Sequence, residues 1–92
     1  MRISDPTLRK FWRTGRAKGI SPGEVDLLQD MLAALDAATK PEDMDQPGWR
    51  FHPLKGDRAG QYAVDLIHPW RLVFEWDAGQ AVRVRKEDYH GR

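Results

Sequence analysis

Apolar residues in the first part of the chain recur at the spacing of an α-helix. Leu8, Phe11 and Trp12 stand at positions i, i+3 and i+4, which predicts a short helix from residue 8 to about residue 16. Gly15 is expected to weaken its C-terminal end, because glycine disfavours the helix interior.

A second helix is predicted from residue 21 onward. Its start reads Ser21-Pro22-Gly23-Glu24, with serine as the N-cap, proline in the first turn and glutamate three residues after the cap. The helix is expected to end near residues 38–39, since Pro41 follows. Its apolar stripe comprises Val25, Leu28, Leu32 and Leu35.

The second half of the chain changes to a period of two. Apolar and polar residues alternate over residues 62–67, 70–76 and 82–85, and an earlier strand is predicted near residues 50–54. Residues 77–80 are typical of a turn between the last two strands. Helices followed by a meander of strands predict an α+β fold, in which two N-terminal helices pack on one face of a small, mainly antiparallel sheet.

The alternation also predicts what each face of the sheet carries. One apolar set is expected to face the helices as part of the core: Trp70, Leu72, Phe74 and Trp76. Arg71 then lies on the opposite, open face, and Arg83 and Arg85 join it if Val82 and Val84 are buried together. The open face is therefore predicted to be a basic surface.

Length and composition exclude several classes of protein. Ninety-two residues predict a single domain over residues 1–92. The absence of cysteine excludes disulfides, thiolate metal sites and a thiol nucleophile. The sequence holds no apolar run of membrane-spanning length and no secretory signal at its start, so a cytoplasmic protein is expected.

Charge is distributed unevenly, although the net charge is only +1. Residues 1–20 are strongly basic, residues 21–49 strongly acidic and residues 50–92 weakly basic. Such segregation creates local electrostatic potential of both signs. The acidic segment fits either a solvated helix face or a docking surface for a basic partner.

Several side chains have the chemistry that RNA cleavage requires. Cleavage without a metal ion needs a base for the ribose 2′-hydroxyl, cations for the charge that builds on the phosphate, and an acid for the departing 5′-oxygen. Histidine suits both proton transfers, while lysine and arginine supply fixed positive charge. The candidates are His52, Lys55, Arg71, Asp88, Tyr89 and His90. We expect these groups to converge at adjacent strand ends on the open face of the sheet. A metal site formed by His52, Asp88 and His90 has no ligand spacing to support it.

Four stretches of sequence carry a resemblance to a known family. They are Leu-Ala-Ala-Leu-Asp-Ala-Ala-Thr at residues 32–39, Gly-Trp-Arg-Phe-His-Pro-Leu-Lys-Gly-Asp-Arg-Ala-Gly at residues 48–60, Trp-Arg-Leu-Val-Phe at residues 70–74, and Asp88-Tyr89-His90. In this order and spacing, the chain resembles the HigB branch of the RelE/ParE toxin superfamily over nearly its whole length. One departure is the opening segment, which is shorter than the family's first strand and contains Pro6, so pairing only at a sheet edge is expected.

The resemblance implies a microbial-ribonuclease-like fold and cofactor-free cleavage of mRNA in the ribosomal A site. It also implies a HigA-like helix-turn-helix antitoxin as partner. The protein would reach operator DNA only through that antitoxin. It assigns the family's catalytic positions to His52, Lys55, Arg71, Asp88, Tyr89 and His90. Attraction of RNA phosphates is expected from Arg9, Lys10, Arg13, Arg58, Arg83 and Arg85.

Two other functions stay open at this point. A ParE-type gyrase inhibitor would share the scaffold, but it would not need the histidine–tyrosine cluster at the end of the chain. A non-catalytic module would keep the fold and bind RNA, the ribosome or an antitoxin without cutting RNA.

Overall fold

A computed structural model of the chain describes residues 1–88, and within them it contains two α-helices and four β-strands. The helices are α1, Pro6–Thr14, and α2, Val25–Ala37. The strands are β1, His52–Pro53; β2, Gln61–Asp65; β3, Trp70–Asp77; and β4, Gln80–Asp88. The sheet order is β1-β2-β3-β4 and all these pairs are antiparallel, so the predicted α+β fold is confirmed.

Both helices pack on one face of the sheet, which is called the covered face below. Buried residues of α1 and α2 share one core with alternate residues of the strands; they are Leu8, Phe11, Leu28, Leu32, Leu35, Val64, Leu72, Phe74 and Val84. Removing this apolar surface from water is the main stabilising contribution to folding. The helices among residues 1–88 are too short and too polar to cross a membrane.

Helix α1 begins two residues before the predicted start. The Asp5 carboxylate caps it, because Oδ1 accepts the backbone N–H groups of Thr7 at 2.9 Å and Leu8 at 3.2 Å. Pro6 fits the first helical position, where no N–H is needed. The helix ends at Thr14, since Gly15 adopts the left-handed conformation with φ 78°.

Ser21 is the N-cap residue, as predicted, but its side chain makes no capping hydrogen bond. A 3₁₀ helix, Pro22–Glu24, comes first, and α2 begins only at Val25. The Glu24 carboxylate turns into the protein, where it accepts Lys86 Nζ at 2.5 Å and the Ile67 N–H at 3.3 Å. A long-range ion pair therefore takes the place of the local capping bond.

A β-bulge at Arg83 contradicts the prediction that Val82 and Val84 are buried on the same face of the sheet. Val73 pairs with Arg85, but Glu75 pairs with Val82, so β4 has one extra residue between these pairs. Arg83 has φ 49°, and such an inserted residue shifts the alternation of side chains. Val84 therefore belongs to the core, whereas Val82 lies on the face of Glu75.

Three other sequence expectations have mixed outcomes. The turn at residues 77–80 is confirmed, and Ala78 and Gly79 have the positive φ values of a tight hairpin turn. Trp70, expected in the core, is 38% exposed at the start of β3. The opening segment forms a parallel bridge, Ile3 to Val84, at the outer edge of β4, which agrees with a shortened first strand.

Candidate active site

The face of the sheet opposite the helices, called the open face below, carries a concavity of about 510 Å³. It is lined by Arg50, Phe51, His52, Asp65 and Arg71. His52 pairs with Ala63 on β2, and Asp65 pairs with Arg71 on β3, so three neighbouring strands supply its walls. This arrangement brings together two of the predicted catalytic residues, His52 and Arg71.

The ring of His52 is oriented by the backbone. Its Nδ1 lies 2.8 Å from the carbonyl oxygen of Arg50, and a carbonyl oxygen only accepts, so Nδ1 carries the hydrogen in this contact. The other ring nitrogen, Nε2, then has the free lone pair of a neutral imidazole and can accept a proton. Arg50 presents its carbonyl from a positive-φ conformation, φ 56°.

Arg71 extends from the middle of β3 and its side chain is 14% exposed. Its Nη2 lies 3.9 Å from Oε1 of Glu87, the residue that it opposes on β4. On the other side, the Asp65 carboxylate is 3.1 Å from Nε of Arg50. Arg71 therefore lies in the sheet between Asp65 on β2 and Glu87 on β4, two carboxylates that also engage other arginines.

A chain of ion pairs, called the arginine–glutamate network below, continues across the open face. Arg58 Nη2 and Arg85 Nε donate to Oε2 of Glu87 at 2.7 and 3.1 Å. Arg83 Nε and Arg85 Nη1 donate to the two oxygens of Glu75 at 2.8 and 3.2 Å. The open face is thus not the purely basic surface that the alternation predicted, because glutamates on β3 and β4 intervene.

These contacts shift the proton equilibria of the network. The hydrogen bond from Arg58 lowers the pKa of Glu87, against the opposing effect of burial. The hydrogen bond from Arg83 lowers the pKa of Glu75 in the same way. The bond to Glu87 raises the pKa of Arg58. Both glutamates are therefore ionised at neutral pH.

Other predicted catalytic residues lie apart from the concavity. Lys55 is exposed beyond β1, where it precedes the 3₁₀ helix Gly56–Arg58. Asp88 opposes Trp70, and its neighbour Glu87 faces Arg71. Because neighbouring strand residues point to opposite faces, Asp88 lies on the covered side of the sheet. The expectation that Asp88 and Arg71 share one face is therefore wrong, whereas Tyr89 and His90 lie outside the described residues.

The predicted RNA-binding residues fall into two groups. Arg58, Arg83 and Arg85 belong to the arginine–glutamate network. Arg9 and Arg13 line a second groove of about 540 Å³, between α1 and the start of the chain. Arg2, Trp12 and Arg83 also line this groove, and Arg83 therefore links it to the open face. Lys10 is exposed on α1.

The sequence reasoning missed the acidic members of the site, Asp65, Glu75 and Glu87. A signal for Glu87 was present, since it stands two residues after Arg85 on the same strand and so must share its face. Among residues 1–88, histidine and carboxylate side chains form no group of three suited to hold a metal ion. A metal site formed by His52, Asp88 and His90 would include His90, which lies outside the described residues.

Comparison with known proteins gives a consistent family. A family described as RelE-like toxin of type II toxin-antitoxin system HigB matches residues 1–90. The chain is 34% identical over 83 residues to Endoribonuclease HigB of Proteus vulgaris, covering 90% of each protein. It is 29% identical over 84 residues to Toxin HigB-1 of Vibrio cholerae serotype O1, covering 89% of this chain and 88% of that protein.

Proposed function

The chain belongs to the family of RelE-like HigB toxins of type II toxin–antitoxin systems, and from that premise we propose that it is an endoribonuclease that cuts mRNA in the ribosomal A site. It acts in the cytoplasm, where it inhibits translation. The ribose 2′-oxygen attacks the adjacent phosphorus, the bond to the 5′-oxygen of the next nucleotide breaks, and a 2′,3′-cyclic phosphate forms. A base takes the 2′-hydroxyl proton and an acid supplies one to the leaving 5′-oxygen.

The observation that carries the proposal is the shared concavity of His52 and Arg71. The backbone contact of Nδ1 leaves Nε2 of His52 as the proton acceptor, which suits a general base for the 2′-hydroxyl. Arg71 is largely buried and permanently charged, and a guanidinium in such a position stabilises negative charge that builds on a phosphate.

The remaining roles follow from residue chemistry. His90 is the partner of His52 in the two proton transfers, and Tyr89 is an alternative acid for the leaving group. Lys55 joins Arg71 in stabilising the phosphorane. Asp88 orients His90 or the bound nucleotide. Arg9, Lys10, Arg13, Arg58, Arg83 and Arg85 attract the RNA backbone.

The ribosome is proposed to complete the site. Arg71 and Asp88 point to opposite faces of the sheet, and Lys55 stands apart on an exposed loop. Binding of mRNA and ribosome supplies the energy that brings Lys55 to a phosphate held at Arg71, so free RNA is expected to be cut slowly.

A type II toxin has an antitoxin partner, and we propose that this partner is a HigA-like helix-turn-helix protein. The toxin then reaches operator DNA only as part of that complex. A neighbouring reading frame of about one hundred residues with a helix-turn-helix motif is the expected source.

The assignment of His52 can be tested on ribosomes programmed with a defined mRNA, with cleavage mapped by primer extension. His52→Ala is expected to slow cleavage at least about 100-fold, because general acid–base groups contribute about 100- to 10,000-fold. His68→Gln is the matched control: His68 is an exposed histidine before β3 and should leave the rate near that of the wild type. His90→Ala tests the C-terminal triplet in the same assay.

Each competing function gives a different result in this system. Equal cleavage by the wild type, His52→Ala and His90→Ala would contradict the catalytic assignment. Ribosome binding by the wild type without any mRNA cleavage would identify a non-catalytic module. Inhibition of DNA gyrase in place of cleavage would identify the ParE-type activity.

A further inference from the structure

An acidic side chain lies in the concavity that holds His52 and Arg71. Asp65 is opposite Arg71 in the pairing of β2 with β3, and Ala63, two residues before it on β2, is opposite His52. Residues two apart on a strand point to the same face and lie about 7 Å from each other. The Asp65 side chain is 20% exposed and lines the concavity. Its carboxylate therefore belongs to the same surface as the two side chains proposed to act on RNA.

The contacts of Asp65 within the protein leave its carboxylate accessible to a ligand. Nε of Arg50 lies 3.1 Å from Oδ2 of Asp65, and the Arg50 side chain is 79% exposed. No other side chain of residues 1–88 makes a hydrogen bond or an ion pair with this carboxylate. An ion pair with so exposed a member contributes little to folding stability. Stability of the fold is therefore a weak reason for a carboxylate at this position.

The charge of Asp65 is unfavourable for the proposed reaction unless the RNA contacts it. A carboxylate beside Arg71 repels the phosphate that Arg71 is proposed to bind. A hydrogen-bond donor on the RNA would replace this repulsion by a favourable, charge-assisted contact. RNA has such donors on its ribose hydroxyls and on the edges of its bases. Phe51, an aromatic residue, lines the same concavity, and this favours a base as the donor.

The four bases differ in how well their hydrogen-bonding edges fit the Asp65 carboxylate. A carboxylate only accepts hydrogen bonds, and each of its two oxygens can accept two. On its Watson–Crick edge, guanine presents two adjacent donors, N1–H and N2–H, which match the two oxygens. Adenine and cytosine place a ring acceptor beside their amino group, and uracil places its N3–H between two carbonyl groups. Their acceptors would face the carboxylate without a donor, which is costly where water is excluded.

We infer that Asp65 selects guanine in the nucleotide on the 5′ side of the cleaved bond, an inference that rests on the proposed function. His52 is proposed to take the 2′-hydroxyl proton of that nucleotide, so the ribose lies at His52. The base attached to the same ribose is then the base nearest to Asp65. Asp65 accepts N1–H and N2–H of the guanine, while His52 and Arg71 contact the ribose and the phosphate.

The test uses ribosomes programmed with four mRNAs that differ only in the base on the 5′ side of the mapped cut. The wild type is expected to cut the guanine mRNA with a kcat/KM about 10- to 100-fold above the others, since a bidentate contact discriminates between bases to about this extent. Asp65→Ala should remove the preference. Asp65→Asn should move it toward adenine and cytosine, because an amide offers one donor and one acceptor and so matches their edges.

Asp30→Asn is the matched control for the loss of one negative charge. Asp30 is exposed on α2, which packs on the covered face of the sheet, so the substitution should leave the guanine preference unchanged. The comparison between bases is also internal to each variant. An unfolded fraction lowers the rates for all four mRNAs alike and therefore does not imitate a change of preference.

Two outcomes would overturn the inference while the proposed function stands. If the wild type cuts the four mRNAs at similar rates, or prefers another base, Asp65 does not select guanine. If Asp65→Ala and Asp65→Asn slow cleavage of all four mRNAs equally and still prefer guanine, Asp65 is a structural residue. If the wild type leaves every mRNA intact, the proposed function fails and the inference fails with it, a result distinct from the other two, in which cleavage is retained.

Discussion

The two faces of the sheet carry their charges in different ways. On the covered face, Glu24 is 1% exposed and is matched by one lysine, Lys86, whose Nζ lies 2.5 Å from its carboxylate and 5.2 Å from the centre of the Trp70 ring. The Ile67 N–H also donates to Glu24. The pair ties the start of α2 to the end of β4, and its two charges neutralise each other.

On the open face, cations outnumber carboxylates. Within residues 1–88, the network and its neighbour Arg71 contain four arginines but only two glutamates. Exposure of these arginine side chains ranges from 14% for Arg71 to 62% for Arg83, so water and ligands reach them. Positive charge therefore remains after all the ion pairs are formed.

The difference indicates what each group of charges does. A matched and buried pair has no charge left for a ligand, and loss of one of its two members should destabilise the fold. Removing one member of an unmatched and accessible group costs the protein little folding stability. Such a group instead offers positive charge to an anion such as an RNA phosphate. Stability experiments and RNA experiments should accordingly separate the two faces.

The largest effect on stability is expected from Lys86→Met. The substitution leaves the Glu24 carboxylate buried without its cation, and breaking such a pair on one side costs about 3–5 kcal/mol. Most small domains have a free energy of unfolding of about 5–15 kcal/mol, so this loss is a large fraction of the total. Urea denaturation of the purified chain measures it.

A double variant supplies the control. When Glu24→Met is combined with Lys86→Met, the uncompensated charge is removed, and stability should recover toward the wild type. Glu75→Gln on the open face should cost less than about 1 kcal/mol in the same experiment. A Lys86→Met variant as stable as Glu75→Gln would remove the distinction between the faces.

Local patterns in the sequence were sufficient for the helices, the hairpin turn and the position of Arg71 on the open face. Those features depend on residues close together in the chain. The bulge at Arg83 depends on the register between β3 and β4, and the Glu24–Lys86 pair joins residues far apart in sequence. Neither follows from periodicity, and the bulge is why Val82 was assigned to the wrong face. Asp88 stands four residues after the buried Val84, so alternation alone places it on the covered face.

A smaller effect is expected on the salt dependence of ribosome binding. The surplus of arginines implies that affinity falls steeply as salt rises, and each contact with a single-stranded phosphate adds about 0.7 to the slope of log K against log salt. Arg83→Gln should lower that slope by about this amount, because Arg83 is exposed on the open face and also lines the second groove, between α1 and the start of the chain.

Lys40→Gln is the control for the salt measurement, since Lys40 lies within the acidic segment, residues 21–49, rather than on either basic surface. It removes the same charge and should leave the slope unchanged. Filter binding or sedimentation with ribosomes between low and physiological salt gives both slopes. Equal reductions by the two variants would indicate an effect of net charge alone.

The smallest effect is expected in the pH dependence of unfolding. Arginine partners lower the pKa of Glu75 and Glu87 below the ordinary value of 4.5, so their contribution to stability is present above that pH and is lost as the pH falls through the lowered values. The difference in unfolding free energy between the wild type and Glu75→Gln, below about 1 kcal/mol at pH 7, should therefore shrink on acidification.

Arg83→Gln removes the main cause of the lowered pKa of Glu75, and in that background Glu75→Gln should have a smaller effect on the unfolding free energy. Urea titrations at several pH values measure both, and a difference that stays constant down to pH 3 would show that the open-face pairs do not stabilise the fold through their charge.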